Sequence, residues 1–529
     1  MTFKDITYTS WTLPDPLDSN PIPALKLPPS IKAILVRRGI ESETDIDEFL
    51  NPKALPNPKE HYPDLTVAVE RIKLAHKHNQ IVAICGDYDA DGMTSTALLI
   101  KTLTTLNITT IAAIPNRIED GYGLNTNIVR NLKSKNVNVI ITVDNGVSAI
   151  EAIELANELN IDVILTDHHE IKQKIPSVLS LLHPSTIPQN SPYQYLAGVG
   201  LAYVLGSSIA NEFKSKQALN DSLDLFCIGT IADMAPLKGA NRALLIKALL
   251  NIHNTRCEGL RALFDISNLR KRLIRTDDIS FQIAPKINAV GRIGNPDLIL
   301  DLLTEQDQER AIIKANECNQ LNIKRRKLTS DIESEALQII ESDKEIKPFI
   351  FLAQSHWHPG IIGIVASRLV EKFQRPAALL ACTKDGSFRA SLRAPNGFNL
   401  IKRLTLYSNS FITFGGHAAA AGFSIKPTEV ASINEKLNLE AKNWLENEGK
   451  YSCLKPDAYL SFSEINWELW NHYQKLEPFG IGNPRPIFWS RKCEIISMKI
   501  LKGGHLKLIL SQDSSVFEAI MWRHGTSNS

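Results

Sequence analysis

The spacing of hydrophobic positions changes several times along the chain, and each change predicts a different kind of element. From residue 65, short apolar runs rich in β-branched residues alternate with stretches in which apolar residues recur at helical spacing. The runs are Ile81–Ile84, Thr110–Ile114, Val139–Val143 and Val163–Thr166, and the helical stretches include Thr94–Leu106 and Ala149–Leu159. Strands separated by helices of this length predict βαβ units and a parallel, doubly wound α/β sheet.

A long helical segment follows. Residues 196–290 have mostly helical spacing, and the 51 residues between Pro296 and Pro348 contain neither Gly nor Pro. Within them, Glu309–Ile340 keeps apolar residues at helical spacing, which predicts one connecting helix of about 30–40 residues. At about 1.5 Å per residue, such a helix would hold two domains apart.

Beyond this helix, the pattern predicts a second α/β unit and then a small all-β unit. The α/β elements are the strand Phe349–Ala353, the helix Ile361–Phe373, the strand Ala377–Cys382 and the turn Lys384-Asp385-Gly386. From about residue 455, the apolar runs are short, such as Ile495–Leu501 and Leu506–Leu510, and four of the seven tryptophans lie here.

The first 60 residues have a different composition. Nine prolines lie between Pro14 and Pro58, so residues 1–60 are predicted to form a loosely structured lead-in. It contains two helical segments, Ile31–Arg38, which Gly39 would end, and Thr44–Leu50. The predicted domains are therefore 61–295, the connecting helix 296–347, 348–450 and 455–529.

Composition narrows the class of protein. The chain has 529 residues, of which 43% are hydrophobic and 22% charged, as in globular proteins. A net charge of +2 excludes a strongly basic coat protein but leaves room for a local basic groove. Seven widely spaced cysteines without a CxxC pair suggest neither a zinc site nor a disulfide framework. With no apolar leader or membrane-length apolar run, we expect a cytoplasmic protein.

The strongest chemical signal follows the first strand, in the sequence Gly86–Gly92 (GDYDADG). Asp87, Asp89 and Asp91 would repel one another unless a cation neutralised them. They also lie where a strand passes into a helix, the edge at which doubly wound sheets bind ligands. A solvated acidic turn or a calcium loop are the alternatives, although Thr94-Ser95-Thr96 stands where an EF-hand would need a closing glutamate.

Further candidate ligands follow other strands. Asp144 ends the run Val139–Val143, Asp167-His168-His169 follows Val163–Thr166, and Asp233 lies in an otherwise apolar segment. Each has a structural alternative, as a turn former or a helix cap. Together at the strand ends they predict a mixed carboxylate and imidazole site, which suits Mn²⁺ better than Mg²⁺.

A site that holds two divalent ions suggests phosphoryl hydrolysis, because two metals can clamp the attacking and leaving oxygens. The sequence contains neither the GxxxxGK[ST] motif of P-loop proteins nor the GxSxG or kinase signatures.

These residues resemble the DHH phosphoesterase superfamily, and within it the RecJ family of 5′→3′ single-strand-specific DNA exonucleases. The matching motifs run in family order from about residue 35 to 510. They are GDYDADG (86–92), TVDNG (142–146), Asp167-His168-His169, GTIAD (229–233), INAVGR (287–292), WHPGIIG (357–363), Gly415-Gly416-His417 and LEPFGIGNP (476–484).

The resemblance implies a DHH domain, a long connecting helix, a DHH-associated domain and a C-terminal OB-fold. It implies two Mn²⁺ or Mg²⁺ ions, one bound by Asp91, Asp144, His168 and Asp233, and the other by Asp89 and the shared Asp144. It also implies that His169 lies against the scissile phosphate and that Asp87 supports the catalytic loop. The resemblance further implies that a hydroxide activated by the two ions attacks the scissile phosphorus and releases 5′-mononucleotides.

The second domain carries candidate phosphate contacts. Residues 389–393 (RASLR) alternate, so Arg389, Ser391 and Arg393 would share one strand face, and Arg and Ser are natural partners of phosphate oxygens. The alternative is a solvated strand face and a tight turn. The resemblance implies that these three residues contact the substrate, together with Arg292, Gly415, Gly416 and His417. His358 is either a further contact or a packed histidine.

The tail is basic between residues 485 and 507, with six Lys or Arg and only Glu494 as acid, which suits single-stranded nucleic acid, although most of its tryptophans fit a core better. RecJ-family OB-folds continue beyond the point that matches Ala519-Ile520-Met521, whereas this sequence ends at Ser529, so we expect the barrel to lack its last strands.

The resemblance implies single-stranded DNA as the substrate, in recombination and repair, and suggests a single-strand-binding protein and a RecQ-type helicase as partners. Two alternatives stay open. One is a sister phosphodiesterase that cleaves oligoribonucleotides or cyclic dinucleotides, and the other is a non-catalytic scaffold, which would have lost the metal ligands.

Overall fold

The computed structural model describes residues 10–17, 26–115, 123–171, 174–343, 345–383, 385–447, 453–502 and 504–522. The chain divides into two compact units. We refer to Glu48–Lys324 with Leu476–Arg485 as the first unit, and to the residues up to Asp47, Arg325–Lys475 and the residues from Pro486 onward as the second unit. Parts of the predicted lead-in (1–9 and 18–25) and Lys384 of the predicted turn lie outside the described residues.

The lead-in contains helices at both predicted segments and, in addition, a short strand. Its elements are β1 (Ser10–Trp11), α1 (Pro29–Arg37) and α2 (Glu43–Leu50). Pro29 begins α1, where the missing N–H costs nothing, and Gly39 follows its end with a positive φ of 75°, as predicted. The lead-in is also fastened within the second unit, because Arg38 Nη2 lies 3.4 Å from Asp457 Oδ1.

The first unit contains the predicted parallel sheet. Five parallel strands lie in the order β3-β2-β4-β5-β6, which confirms the α/β class. The strands are β2 (Ile81–Cys85), β3 (Thr110–Ala113), β4 (Val137–Val143), β5 (Asp162–Thr166) and β6 (Ser180–Leu182). The helices are α3 (Leu65–Lys77), α4 (Ala90–Thr105), α5 (Thr126–Ser134), α6 (Ile150–Glu158), α7 (Gly198–Glu212), α8 (Ser222–Ala232), α9 (Gly239–Asn251), α10 (Glu258–Ile266), α11 (Thr276–Asp278), α12 (Ala284–Ile293) and α13 (Asp297–Thr304).

Both faces of this sheet are buried, which is why its strands are continuously apolar. Alternate residues of β2 enter different cores: Val82 and Ile84 pack into the core that includes α4, α7 and α8, whereas Ala83 and Cys85 pack into the core with α5 and α6. With helices on both faces, only the ends of the strands are left for polar side chains.

The segment without Gly or Pro is two helices rather than one. After α13 ends at Thr304, α14 (Gln308–Ser342) runs for 35 residues. Side chains make the break: Glu305 Oε1 accepts from the backbone of Gln306 and Asp307, and Asp307 Oδ1 caps α14 by accepting from Arg310 N at 2.8 Å. The long helix is confirmed at the position and length predicted from Glu309–Ile340, and the beginning of the 296–347 segment forms the separate helix α13.

The second unit contains a mixed five-stranded sheet in the order β10-β11-β9-β8-β7, in which only β7 and β8 are parallel. The strands are β7 (Ile350–Gln354), β8 (Ala377–Cys382), β9 (Phe388–Arg393), β10 (Thr413–Gly416) and β11 (Ala420–Ile425), and the helices are α15 (Ile362–Phe373), α16 (Leu400–Thr405) and α17 (Val430–Asn447).

The tail contains an antiparallel three-stranded sheet, in agreement with the predicted all-β unit, and a helix that was not predicted. This sheet is formed by β15 (Glu494–Leu501), β16 (His505–Gln512) and β17 (Ser515–Met521). Three shorter strands, β12 (Cys453–Leu454), β13 (Ala458–Tyr459) and β14 (Phe488–Trp489), lie outside it, with β12 paired to β1 and β13 paired to β14. The helix is α18 (Trp467–Lys475), and Asn466 Oδ1 caps it by accepting from Leu469 N. Its aromatic residues are weak helix formers, which hid it in the pattern. Among the described residues, no helix has the length and apolarity that a membrane span requires.

Candidate metal centre

The polar clusters of the sequence meet at one edge of the parallel sheet. β2, β4 and β5 are neighbours, and they are followed respectively by the Gly86–Gly92 loop, by Asp144 and by Asp167-His168-His169. Parallel strands end at the same edge, so these three connections bring their side chains together, as the sequence predicts.

The first loop owes its shape to two of its own carboxylates. Asp89 is the N-cap of α4 and accepts from Asp91 N at 2.9 Å and from Gly92 N at 3.1 Å. Asp91, 2% exposed, accepts from Gly198 N and Val199 N at 2.8 and 2.7 Å, both at the start of α7. The helix amides therefore hold this carboxylate in one orientation.

Asp144 lies close to the candidate ligands of both other strand ends. It has a positive φ of 60°, a conformation that Asp tolerates better than most residues, and its side chain is buried. His168 Nε2 lies 3.0 Å from Asp144 Oδ1 and 3.8 Å from Asp91 Oδ2. A β-carbon at Gly198 would lie 2.5 Å from Asp144 Cβ, so only glycine lets α7 approach this closely.

Asp167 holds the histidine pair rather than pointing into the cluster. One carboxylate oxygen accepts from the backbone of His168 and His169 and lies 2.8 Å from His169 Nδ1, and the other accepts from Val147 N at 3.0 Å. Asp167 is 1% exposed, whereas the His169 side chain is 38% exposed.

The Asp and His side chains of the site form three overlapping groups of candidate metal ligands. In each group, the ligand atoms lie no more than 4.8 Å from one another. Asp233, at the C-cap of α8, joins one of them. Among the described residues the groups are Asp91, His168 and Asp233; Asp87, Asp89 and Asp144; and Asp144, His168 and His169. Asp87, to which the resemblance assigns support of the loop, is thus placed among the candidate ligands.

The electrostatics of these groups favour a bound cation. Burial, followed by repulsion from neighbouring carboxylates, raises the pKa of Asp91 to about 7, that of Asp233 to about 9 and that of Asp144 well above its usual range. Burial and the charge of His169 lower the pKa of His168 to about 4. Buried carboxylates beside a neutral imidazole match the donor set of a Mn²⁺ site, and a divalent charge would relieve their repulsion.

Asp167 raises the pKa of the neighbouring His169, whereas the pKa of His168 is lowered. Burial by itself raises the pKa of Asp167 and lowers that of His169, but their hydrogen bond and mutual attraction outweigh it. The net result is a lowered pKa for the carboxyl group and a raised pKa for the imidazole.

Sequence reasoning missed two residues that position the site. Asn145, 1% exposed, donates to Cys85 O and Val143 O and so ties the ends of β2 and β4 together. Asn288 Oδ1 accepts from Ala90 N at 2.9 Å, at the start of α4. Both lie inside motifs that the sequence analysis quoted, TVDNG and INAVGR, and only the fold shows what they do.

Arg292, a predicted substrate contact, belongs to the same neighbourhood. It lies four residues after Asn288 on α12, so the two share one helix face. One residue before it, Gly291 packs on the first loop, since a β-carbon there would lie 2.2 Å from Tyr88 O.

The other predicted substrate contacts lie together in the second unit. Along β9, Arg389, Ser391 and Arg393 alternate with the buried Ala390 and Leu392, as the sequence predicts. In the sheet register, Ser391 of β9 pairs with Gly422 of β11, and Gly422 pairs with Gly415 of β10. The Gly415-Gly416 motif therefore lies at the same level along the strands as Ser391, two strands away.

The start of α15 meets the same face. A β-carbon at Gly363 would lie 3.3 Å from Arg393 Nη2 and 3.4 Å from Ser391 Oγ. His417 N donates to Ala420 O at 2.8 Å, which turns β10 into β11. In the preceding motif, His358 Nδ1 accepts from Gly360 N, and the buried Trp357 donates to Glu335 at 2.8 Å.

Comparison with protein families identifies three matching domains. The N-terminal domain of the DHH family matches residues 81–230, the DHHA1 domain matches 347–443, and the RecJ OB domain matches 456–529.

Among curated proteins, the chain is similar to single-stranded-DNA-specific exonucleases called RecJ. It is 34% identical to that of Bacillus subtilis over 95% of this chain and 64% of the relative, and 31% identical to that of Haemophilus influenzae over 94% and 90%. The chain thus spans slightly under two thirds of the first relative and most of the second. Among solved structures, it resembles RecJ from Thermus thermophilus in complex with Mn²⁺, with a TM-score of 0.83 and 26% identity over 98% of this chain and 75% of that one.

Proposed function

The chain belongs to the RecJ family of single-stranded-DNA-specific exonucleases, and from this premise we propose that it is a metal-dependent exonuclease that degrades single-stranded DNA 5′→3′ to 5′-mononucleotides in recombination and repair. The observation that carries the proposal is the convergence of three overlapping groups of metal-binding side chains at the ends of three neighbouring parallel strands.

The ligand assignment follows those groups. Asp91, Asp144, His168 and Asp233 would hold one Mn²⁺ or Mg²⁺ ion. Asp89 and the shared Asp144 would hold the second, and the position of Asp87 supports it as a further ligand of that ion. When bound, the two ions supply an activated water and stabilise the charge that develops as the phosphorus–oxygen bond breaks.

His169 is the proposed contact to the scissile phosphate. Its ring is partly exposed beside the ligand groups, and Asp167 fixes the ring through Nδ1. Because Asp167 also raises the pKa of His169, the imidazole is better able to donate a hydrogen bond to a phosphate oxygen.

The second unit would bind the strand. Ser391 and Arg393 beside Gly363 offer a hydroxyl, a guanidinium and close backbone approach, which together suit a terminal phosphate. We also assign Arg389, Gly415, Gly416 and His417 of this unit to substrate binding. In the first unit, Arg292 beside the metal centre is likewise assigned to substrate binding.

Partners and location are proposed from the substrate. Single strands in a cell are coated by a single-strand-binding protein and produced by helicases, so we propose the former and a RecQ-type helicase as partners, to be tested by co-purification with the tagged chain. A DNA-processing enzyme acts where the DNA is, which supports a cytoplasmic location.

The test uses single-stranded DNA labelled at the 5′ or the 3′ end, with Mn²⁺, and compares the wild type with Asp144→Asn. Asp265→Asn is the matched control, since it makes the same chemical change at an exposed salt bridge of the first unit. We expect mononucleotides from the 5′ end with the wild type and the control, and loss of at least about 100-fold in rate with Asp144→Asn.

Other results would redirect the proposal. Intact DNA together with hydrolysed dinucleotides would indicate the sister phosphodiesterase, and turnover of neither substrate would indicate a scaffold. Full activity of Asp144→Asn would contradict the ligand assignment.

A further inference from the structure

A short segment of the tail packs in the unit that contains the metal centre. Leu476–Arg485, here called the tail loop, belongs to the first unit, although the residues on both sides of it in sequence belong to the second. Leu476, Phe479 and Asn483 of the tail loop are buried, at 1%, 5% and 2% exposed.

The tail loop is closed by its own hydrogen bonds. Asn483 Nδ2 donates to Leu476 O and Pro478 O, both at 2.8 Å, and Gly480 and Asn483 exchange backbone hydrogen bonds at 2.9 and 3.1 Å. With its two ends joined in this way, the tail loop can act on its neighbours as one piece.

One side of the tail loop holds the connection between α8 and α9. Leu237 N donates to Ile481 O at 2.6 Å. Arg242 of α9, 4% exposed, donates to Leu476 O at 3.4 Å, to Glu477 O at 3.0 Å and to Phe49 O at 2.8 Å. Hydrogen bonds to a buried guanidinium are among the stronger ones, so this contact fixes α9 against the tail loop.

This connection is the one that follows Asp233. After the C-cap at Asp233, the chain reverses at Met234, whose φ is 63°, and Ala235 N donates to Thr230 O. The carbonyl of Pro236 then accepts from the buried Asn241 at 3.0 Å. Leu237, four residues after Asp233, is thus a short and constrained distance along the chain from a proposed ligand.

The other side of the tail loop holds the segment that leads to α12. Arg485 Nη2 lies 2.6 Å from Asp277 Oδ2, and Arg275 Nη1 lies 3.7 Å from Glu477 Oε1. From there α11 continues through a single π-helical turn into α12, whose Asn288 accepts from Ala90 N beside Asp89 and Asp91.

We propose that the tail loop is a positioning element of the metal centre, which sets Asp233 through Leu237 and Arg242, and the Asp89–Asp91 loop through α12. The inference rests on the proposed function, because it assigns these residues a role in binding the ions of that site. The tail loop contains none of the proposed ligands, so its effect is on their geometry.

The test measures Mn²⁺ affinity by titration calorimetry on the full chain, stripped of metal, with circular dichroism to establish that each variant is folded. Arg242→Gln removes the guanidinium that donates to Leu476 O and Glu477 O, and we expect Mn²⁺ to bind about tenfold more weakly, as for other outer contacts of metal ligands. Excess Mn²⁺ should then restore the nuclease rate. Arg270→Gln, in a surface ion pair with Asp265, is the matched control with unchanged affinity.

Gly480→Ala provides a second variant that decides the question if Arg242→Gln does not fold. Its β-carbon would lie 2.8 Å from Leu237 Cδ1 and 3.1 Å from Cγ, so it displaces Leu237 without removing a charge. Mn²⁺ affinity within twofold of wild type in the folded variants, or an equal loss in Arg270→Gln, overturns the proposal. A wild type that neither binds Mn²⁺ nor cleaves DNA would instead contradict the proposed function.

Discussion

At the scale of single residues, the metal centre brings several carboxylates close enough together to repel one another. Asp87, Asp91 and Asp144 are each no more than 2% exposed, and repulsion adds to burial in raising the pKa values of Asp91 and Asp144. Such an arrangement is costly without a cation, so these residues are better explained by ion binding than by stability of the fold.

Asp167 is predicted to act through its neighbour. Replacing it in Asp167→Asn removes the charge that attracts His169 and weakens the acceptor of three backbone N–H groups. We expect kcat on single-stranded DNA to fall by about 10–100-fold, with a smaller change in KM, because the ring is no longer held in place. Single-turnover and steady-state kinetics measure this. Asp162→Asn, at the partly exposed start of β5, is the control, and an unchanged kcat for Asp167→Asn would refute the role.

Asp224, away from the metal centre, predicts a pH dependence of stability. Burial, partly offset by a hydrogen bond from Thr255, raises the pKa of Asp224 from 3.8 to about 6. The folded state therefore holds this proton more tightly than the unfolded state, and the stabilisation is complete below about pH 4 and is lost as pH rises through 6.

The corresponding variant is Asp224→Asn, which removes the cost of a buried charge. Its free energy of unfolding should exceed that of wild type by about 1 kcal/mol at pH 8, and the difference should shrink towards pH 5. Urea unfolding at both values measures it. Asp265→Asn, at an exposed ion pair of the same unit, is the control variant, and a less stable Asp224→Asn at pH 8 would show the cause to be wrong.

At the scale of elements, strand parity was predictable because side chains alternate with a period of two. The face of β9 with Arg389, Ser391 and Arg393 follows from this rule alone. The approach of Gly363 of α15 to Ser391 and Arg393 does not follow from this rule, because it depends on how the helix packs on the sheet.

Ser391 and Arg393 are predicted to set affinity rather than rate. Ser391→Ala and Arg393→Ala should each raise KM for 5′-phosphorylated single-stranded DNA by about tenfold, at roughly constant kcat, since a charge-assisted contact to phosphate is worth about 1.5–3 kcal/mol at most. The effect should be smaller for strands with a 5′-hydroxyl. Lys372→Ala, an exposed cation on α15, serves as the control, and equal effects on both strands would exclude a terminal-phosphate contact.

At the scale of the whole molecule, the two units are not consecutive in sequence. The predicted domains 61–295, 296–347, 348–450 and 455–529 follow the order of the chain and stay a prediction. The structure instead groups the lead-in up to Asp47 with the second unit and the tail loop with the first.

Binding of Mn²⁺ should stabilise only one of these units. Scanning calorimetry at Mn²⁺ concentrations of about 100 times the Kd should raise the stability of the first unit by about 2.7 kcal/mol and leave the transition of the second unit in place. Asp144→Asn should abolish the shift. An equal rise in every transition would mean that the units unfold together or that the ions bind elsewhere.

The sequence by itself determined the α/β class, the long helix and the placement of Asp89, Asp91, Asp144 and His168 at strand ends, because hydrophobic periodicity and parallel topology are rules of local sequence. Only the tertiary structure decided that Asp87 joins Asp89 and Asp144 in one ligand group, that the amides of α7 hold Asp91 and that the tail loop packs beside α9. Those contacts join residues that lie up to more than 200 positions apart, and they depend on packing that no local pattern encodes.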